Sequence, residues 1–273
     1  MDSLGLIEEW PVRNAAAAVL APEGVVETRG SLDQVFDLAS VTKPLTALVV
    51  LVAVEEGLIG LDEPAGPPRA TVRHLLSHAA GLAPDQRRLM TEPGTRRIYS
   101  NAAYEVLADL VATRAGMSFA EYFTEALVEP LGLVSTSLEG SAAAGARSSV
   151  ADLLVVMGEV MRPDPVLLAR ETITEAVSPQ FPDLPGILPG YGLQDPNTWG
   201  LGFEIRSTKH PHWTGSLNSP RTHGHFGRSG TFMWIDPDPG VGLVVLTDRR
   251  FGDWAYPRWP ALADEVLGAV SAG

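Results

Sequence analysis

A serine and a lysine stand three residues apart in the segment Ser40-Val41-Thr42-Lys43. The apolar run that follows predicts a helix over residues 45–54, and if this helix begins near Ser40, positions three apart lie on one face. The lysine amine then lies beside the serine hydroxyl, and the helix N-terminus supplies free backbone N–H groups. These are the parts of an activated nucleophile: a hydroxyl, an amine that burial can hold neutral, and donors for an oxyanion. The alternative is a serine N-cap followed by an exposed lysine.

The scarcity of lysine makes its presence at position 43 informative. Of the 20 cationic residues only two, Lys43 and Lys209, are lysines, and the rest are arginines. A lysine can give up its proton when it is desolvated, whereas an arginine cannot. The residue type at position 43 therefore suits a base.

A second candidate group is Tyr99-Ser100-Asn101, which stands directly before a predicted helix over residues 102–115. A tyrosine phenol can act as a general base if a nearby cation lowers its pKa, and Lys43 is a candidate for that cation. The amide of Asn101 is suited to binding a substrate carbonyl. The alternative is a packed tyrosine and an asparagine that caps the helix.

The third candidate group is the glycine-rich segment over residues 223–230, which reads HGHFGRSG. Glycines at a strand edge allow a ligand to approach the backbone closely. We expect the backbone N–H of Arg228 to be a second oxyanion donor, and the ring of His225 to hydrogen-bond the substrate or Tyr99. The alternative is a glycine-rich turn with two solvated histidines.

Hydrophobic periodicity predicts strands at both ends of the chain and helices in the middle. The predicted strands are residues 14–20, 25–29, 199–207, 231–236 and 241–247. The predicted helices are residues 45–54, 71–78, 102–115, 119–128, 149–161, 165–177 and 261–270, and residues 178–197 are predicted to form a long loop. Asn101 is expected to cap the third helix, and Ser118 with Glu121 to form a capping box for the fourth.

This order of elements predicts an α+β fold. The simplest packing is one antiparallel sheet built from both termini and flanked by helices, with an all-helical second lobe. Residues 1–60 and 195–273 are expected to form the sheet lobe, and residues 61–194 the helical lobe. A cleft between the lobes is the default site.

Composition excludes several classes of protein. The chain has 273 residues and a net charge of −13 without a basic run, so a nucleic-acid partner is not expected. It has no cysteine, which excludes disulfides, a thiol nucleophile and cysteine-ligated metals. The N-terminus lacks a basic stretch before an apolar run, and the longest apolar run is too short to span a bilayer. We therefore expect a soluble, cytoplasmic protein without a membrane partner.

A metal site is not expected either. His74 and His78 have the four-residue spacing of zinc ligands on a helix, but Leu75 stands where the zinc-protease motif has its glutamate. The chemistry inferred for Ser40 and Lys43 needs no metal and no cofactor.

Together the three groups carry a resemblance to a known family. SVTK is similar to the S-x-x-K motif of the serine β-lactamase and penicillin-binding-protein superfamily, YSN to its Y-x-N, and HFG to its K-T-G or H-x-G. The segments HLLSHAAGL, PGTRRIYSNAAYEVLADL and EPLGL are also typical of it. The chain most resembles the class C β-lactamase branch and the family VIII carboxylesterases. This resemblance implies the same fold, a sheet flanked by helices plus an all-helical lobe.

The resemblance implies a role for each motif position. Ser40 would be the acylated nucleophile, and Lys43 and Tyr99 would share the proton removed from it. Asn101 would hold the substrate. The N–H groups of Ser40 and Arg228 would form the oxyanion hole.

The HFG segment, His225-Phe226-Gly227, would line the substrate site but departs from the family pattern. His225 replaces the lysine and Phe226 the threonine of K-T-G, and a neutral histidine is a weaker anion partner than lysine. The departure favours esters, or amides without the carboxylate of a β-lactam drug.

We therefore expect a serine hydrolase that acts on small esters through an acyl-enzyme on Ser40. The substrate would be a small-molecule ester or amide, and the sequence does not indicate the oligomeric state. Three alternatives are open: β-lactamase or D-amino-peptidase activity, acyl transfer to an alcohol or amine, and a catalytically silent binding protein on this fold.

Overall fold

The computed structural model describes residues 2–271, and its main element is a six-stranded antiparallel sheet. Its strands are β1 (Ala15–Ala21), β2 (Gly24–Arg29), β8 (Glu204–Ile205), β9 (His223–Gly227), β10 (Thr231–Asp236) and β11 (Val241–Thr247). Their order in the sheet is β2-β1-β11-β10-β9-β8. Strand β1 pairs with β11, so the two ends of the chain meet in the middle of the sheet. This confirms the predicted sheet built from both termini.

Most of the helices come between β2 and β8 along the chain. They are α1 (Thr42–Glu55), α2 (Val72–Leu76), α3 (Asn101–Ala115), α4 (Phe119–Phe123), α5 (Glu129–Leu131), α6 (Val150–Met161), α7 (Arg170–Ala176) and α8 (Ala255–Ser271). A π-helical turn, Thr124–Val128, joins α4 to α5, and a 3-10 helix, Ser3–Glu9, precedes β1. None of the helices in residues 2–271 combines the length and the hydropathy that spanning a bilayer requires.

The alternation of side chains along the strands buries both faces of the sheet. Ala16 and Ala18 of β1 contribute to the core that α1 and α6 cover. Ala17 and Val19 contribute to the opposite core, which α8 covers. Successive strand residues point to opposite faces, so each face packs against its own layer of helices. The fold is thus α+β, with helices on both sides of an antiparallel sheet, as predicted.

Helix α1 lies at the centre of the larger core. Its residues from Thr42 to Ala53 are all buried, which follows from a sequence that is apolar around its whole circumference. The helix begins at Thr42, earlier than the predicted residue 45, and a 3-10 turn, Ala39–Val41, leads into it. Ser40 therefore lies on the turn that enters the most buried helix of the protein.

Other predicted features of the helices also differ from the structure. Ser100, not Asn101, caps α3, because the Ser100 hydroxyl accepts the N–H of Ala103 while the Asn101 side chain contacts Lys43. Helix α8 begins at Ala255, before the predicted start at residue 261, and contains Pro260 in its interior. The capping box of Ser118 at the start of α4 is confirmed.

Short strands appear where the sequence predicted none. The predicted loop over residues 178–197 contains a hairpin, β6 (Gly186–Leu188) and β7 (Gly192–Gln194). Another small sheet has the order β3-β5-β4, formed by β3 (Phe36–Asp37), β4 (Ser137–Leu138) and β5 (Ala146–Ser148). Strands of two or three residues carry too little alternation to stand out in a sequence. The predicted strand over residues 199–207 shortens to β8.

Candidate active site

The turn that carries Ser40 is held on two sides by the surrounding sheets. The backbone oxygen of Leu38 accepts the Thr231 hydroxyl at 2.9 Å, and the N–H of Leu38 donates to Ala146. The residue before the serine, Ala39, has a φ of +46°, a conformation that non-glycine residues rarely adopt. Such strain persists only where the surrounding structure enforces it. The turn therefore has one fixed geometry, and Ser40 is partly exposed at its surface.

Gly227 brings β9 against this turn. A Cβ at position 227 would lie 2.2 Å from the backbone oxygen of Leu38 and 3.3 Å from the Cβ of Ala39. Only a glycine permits that approach. Arg228 follows directly and borders the same cavity as Ser40, so the two residues predicted to supply the oxyanion donors lie in adjoining backbone segments.

Lys43 is completely buried beneath Ser40. Its Nζ lies 3.4 Å from the Ser40 Oγ, 2.7 Å from the Asn101 Oδ1 and 3.0 Å from the Ala143 backbone oxygen. Burial lowers the pKa of the amine to about 7, although the carboxylates of Glu105 and Asp85 oppose the shift. A large fraction of Lys43 is therefore neutral at neutral pH.

The partners of Lys43 determine where a neutral amine directs its lone pair. A neutral amine has two N–H bonds, and Asn101 and Ala143 offer two oxygens that only accept. When both N–H groups donate to these oxygens, the lone pair is left for the third neighbour, the Ser40 hydroxyl. The geometry is that of a base directed at a nucleophile.

Asn101 lies at the start of α3 and links Lys43 to a carboxylate. Its Oδ1 accepts from Lys43, and its Nδ2 donates to the Asp85 carboxylate at 2.8 Å. Both ends of the amide are therefore engaged within the protein. The side chain still borders the cavity, where the sequence predicted a substrate contact.

Tyr99 completes the group around Ser40. Its hydroxyl lies near the Ser40 hydroxyl and 3.5 Å from the His225 Nε2. The sequence offered Lys43 as a cation that would lower the pKa of the phenol, and this is wrong: burial raises the pKa, and the nearby Ser40 hydroxyl only partly compensates. Because Lys43 is buried and largely neutral, it cannot stabilise a phenolate. Tyr99 keeps its proton.

His225 is an uncharged ring in this environment. Its Nδ1 lies 2.7 Å from the backbone oxygen of Phe226, which can only accept, so Nδ1 carries the proton and Nε2 presents a lone pair to Tyr99. Burial and the nearby Lys43 lower the pKa of His225 to about 3. The cation that a lysine would supply at this position is therefore missing.

A cavity of about 530 Å³ opens over these side chains. Ser40, Tyr99, Asn101, His225, Phe226 and Arg228 all border it. The structure thus brings the three predicted groups together at one opening, with the nucleophile accessible and the base sealed beneath it.

The comparisons with known proteins agree with this arrangement. Residues 11–267 match the protein family described as Beta-lactamase. The chain belongs to the β-lactamase family. The match confirms the resemblance to the serine β-lactamase and penicillin-binding-protein superfamily, a superfamily of serine hydrolases.

Individual relatives of this family differ in how much of the chain they match. A crystal structure of a β-lactamase from Mycobacterium bovis is 54% identical and covers 98% of this chain and 99% of that one, with a TM-score of 0.96. Penicillin-binding protein 4* of Bacillus subtilis is 28% identical over 137 residues, 38% of this chain and 30% of that protein. Esterase EstB of Burkholderia gladioli is 41% identical over 64 residues, 18% of this chain and 16% of that protein. The matched regions span less than a third of these two curated relatives.

Sequence reasoning missed the part that His78 plays beside Tyr99. The His78 ring lies 4.6 Å from the Tyr99 ring between centroids and edge-on to Trp199 at 4.7 Å. Its Nδ1 accepts the N–H of Ser100, whereas His74 pairs with Thr71. The two histidines therefore do not converge, and among residues 2–271 no cluster of three or more His, Asp or Glu side chains is placed to hold a metal. The signal available was the helical spacing, which pointed to zinc instead.

A buried ion cluster below the cavity was also missed. Glu204 borders the cavity and pairs with Lys209 and His212, and it accepts the indole N–H of Trp213. The neighbouring cations hold the pKa of Glu204 well below its usual range despite burial, which opposes that shift. The second lysine of the chain is thus used for a structural ion pair.

Glu105→Gln tests whether the amine of Lys43 titrates as described. The Glu105 carboxylate favours the protonated amine, so its removal should lower the pKa of Lys43 and move the acid limb of kcat/KM to lower pH. We expect a shift of about 0.3–1 pH unit in a p-nitrophenyl ester assay across pH about 5 to 9. Glu129→Gln, an exposed carboxylate in α5, should leave the profile in place. A shift to higher pH would contradict the description.

Gly227→Ala tests the close approach of β9 to the Ser40 turn. The added methyl group meets the Leu38 oxygen, so we expect a loss of about 1–3 kcal/mol in the free energy of unfolding and of about tenfold or more in kcat/KM. The control is Gly158→Ala in α6, where a Cβ meets nothing within 4 Å. The free energy of unfolding of that variant should increase by about 0.5–1 kcal/mol. Denaturant melts measure the free energy of unfolding, and ester turnover measures kcat/KM. A Gly227→Ala protein that is as stable and as active as the wild type would refute the role given to Gly227.

Proposed function

We propose that the chain hydrolyses small, uncharged carboxylic esters through a covalent acyl-enzyme on Ser40. The proposal rests on the contacts of the Lys43 amine with Ser40, Asn101 and Ala143. A buried amine whose N–H groups are both engaged, and whose pKa is about 7 because of burial, is suited to removing a proton from the serine 3.4 Å away.

Acylation follows from these contacts. The Ser40 Oγ attacks the ester carbonyl carbon while its proton passes to the Lys43 Nζ. The Oγ–C bond forms, and the negative charge on the carbonyl oxygen is stabilised by the N–H groups of Ser40 and Arg228. The bond from the carbonyl carbon to the alcohol oxygen then breaks. The Lys43 ammonium returns the proton to the departing alkoxide, which leaves as the neutral alcohol, and Tyr99 orients the Ser40 oxygen.

Deacylation uses the same groups. Lys43 is neutral again after the alcohol has left, so it accepts a proton from a water molecule that attacks the acyl carbon. The bond between that carbon and the Ser40 Oγ breaks, and Lys43 returns the proton to Oγ. The carboxylic acid leaves, and the free enzyme is restored.

The surroundings of His225 favour an uncharged ester over a substrate with a carboxylate at this position. The imidazole is neutral, and Phe226 offers a phenyl ring where the family motif has a hydroxyl. An anion at this place would find neither the lysine nor the threonine hydroxyl that the K-T-G motif supplies. The match to a protein named as an esterase supports the same substrate class.

β-Lactam hydrolysis is the second candidate. It is favoured by one specific observation, the 54% identity to a protein described as a β-lactamase over 98% of this chain. The acyl-enzyme chemistry would be the same, with the strained amide in place of the ester. If this candidate is correct, nitrocefin turnover should exceed ester turnover in the unmodified enzyme.

The two candidates are separated by measuring kcat/KM for p-nitrophenyl butyrate and for nitrocefin with the same enzyme preparation. We expect the larger value for the ester. The double variant His225→Lys, Phe226→Thr should raise nitrocefin turnover and lower the ester-to-nitrocefin ratio, because it restores a cation and a hydroxyl. No ester turnover by the wild-type enzyme would refute the proposal.

A further inference from the structure

One wall of the cavity beside Ser40 consists of apolar side chains from three separate segments. Leu188 and Pro189 come from the hairpin of β6 and β7, Phe226 from β9, and Phe251 from the loop before α8. Leu188 is buried, and the two phenylalanine rings are partly buried. These four residues, the apolar wall, offer a substrate almost nothing but carbon.

The phenylalanine rings of the apolar wall pack against each other and against aromatic rings outside the wall. The Phe226 ring lies 5.1 Å from that of Phe251 and 5.8 Å from that of Trp259, measured between centroids. Tyr191 meets Phe226 edge-on at 5.9 Å. Rings that are already held in place lose little conformational freedom when a ligand packs against them. The wall is therefore a preformed binding surface.

No unpaired buried charge competes with the apolar wall among the described residues that border the cavity. Four of these residues are charged, and three of them, Asp85, Arg228 and Arg250, are exposed. The fourth, Glu204, is buried but paired with Lys209. Hydrated surface charges contribute little to an interaction, whereas apolar surface contributes in proportion to the area removed from water.

We propose that the apolar wall binds an uncharged apolar group of the ester, an aryl ring or a medium-length alkyl chain, and that Phe226 determines this preference. The inference rests on the proposed function, since it names the substrate class of the same site. The apolar group belongs either to the acyl chain or to the alcohol of the ester. The experiment distinguishes these two sources.

The first measurement is kcat/KM of the wild-type enzyme for two series of esters. One series varies the acyl chain of p-nitrophenyl esters from acetate through butyrate to hexanoate, and the other compares methyl, butyl and benzyl acetate. We expect kcat/KM to rise about fourfold for each buried methylene group in one of the two series. That series identifies the part of the ester that binds the apolar wall. If kcat/KM does not increase with chain length in either series, the inference is contradicted. A preference for p-nitrophenyl hemisuccinate, with its terminal carboxylate, over the uncharged butyrate also contradicts it.

The second measurement assigns the preference to Phe226. Phe226→Thr should reduce the gain in the responsive series to less than about twofold per methylene group, while Phe226→Leu, which stays apolar, should keep most of it. The matched control is Phe181→Ala, because this partly buried ring stacks on His74 outside the cavity. It should show the wild-type gain. A wild-type gain in Phe226→Thr overturns the assignment.

The outcomes also separate this inference from the proposed function. Flat series together with turnover that depends on Ser40 contradict the apolar wall as a substrate contact and leave the esterase proposal standing. Wild-type enzyme that turns over none of the esters contradicts both.

Discussion

Ser40→Ala should lower kcat/KM for p-nitrophenyl butyrate by at least about 10⁴-fold. The variant keeps the cavity and the backbone N–H donors but has no oxygen to form the acyl-enzyme. Only the slow attack of water on the bound ester is left. Stopped-flow or long-time absorbance assays of freshly purified protein measure the residual rate, and thermal melts should show a fold that is intact.

Ser137→Ala is the matched control for this experiment. Ser137 is a partly buried serine in β4 whose hydroxyl donates to Glu139. Because its side chain does not border the cavity, its loss should change kcat/KM by less than about twofold. Comparable rates in Ser40→Ala and Ser137→Ala would show that Ser40 is not the nucleophile.

Replacement of Lys43 should have the second largest effect. Lys43→Met fills the buried space without a base, and Lys43→Arg supplies a group that stays protonated at every accessible pH. Both should lower kcat/KM by about 10²–10⁴-fold, the range for loss of a general base. In the wild-type enzyme kcat/KM should rise with pH through about 7, where the pKa of this buried amine lies, because the neutral amine is the active form. The acid limb with that midpoint should be absent from both variants.

The Arg variant separates a base from a structural cation. If Lys43 acted only through its positive charge, Lys43→Arg would keep activity near the wild-type level. If Lys43 accepts the proton, the arginine variant is as inactive as the methionine variant. A wild-type enzyme whose kcat/KM falls as pH rises through 7 would also contradict the role of a neutral amine.

Local spacing was sufficient to predict the contact between Ser40 and Lys43. Residues three apart at the start of a helix share a face, and the apolar sequence after them required burial. The contact of Lys43 with Asn101 joins residues 58 positions apart, and no local pattern reports it. From the sequence, only the resemblance to a known family placed Lys43 and Asn101 in the same site.

The electrostatic state of Tyr99 was not predictable from its neighbours in sequence. Its pKa depends on how deeply the phenol is buried, and this depth is a property of the packed cleft. The same holds for His225, whose tautomer is set by the backbone oxygen of Phe226. Identifying the residues therefore required less information than assigning their protons.

The lining of the cavity was the part of the site least visible in the sequence. Leu188 and Pro189 belong to a hairpin of three-residue strands inside a segment that was predicted to be a loop. Phe251 follows β11 and carries no motif. Such residues are brought to the site by tertiary packing alone, which explains why the sequence indicated the reaction more clearly than the substrate.

The most direct test of the account is the mass of the intact protein after mixing with an excess of a p-nitrophenyl ester and rapid acid quench, followed by peptide mapping. We predict one added acyl group per chain, located on the peptide that contains Ser40, and no adduct in Ser40→Ala. A stable fluorophosphonate probe should label the same residue in the folded protein. Ester turnover without an adduct and without fluorophosphonate labelling, or with the acyl group on another side chain, would contradict the acyl-enzyme on Ser40.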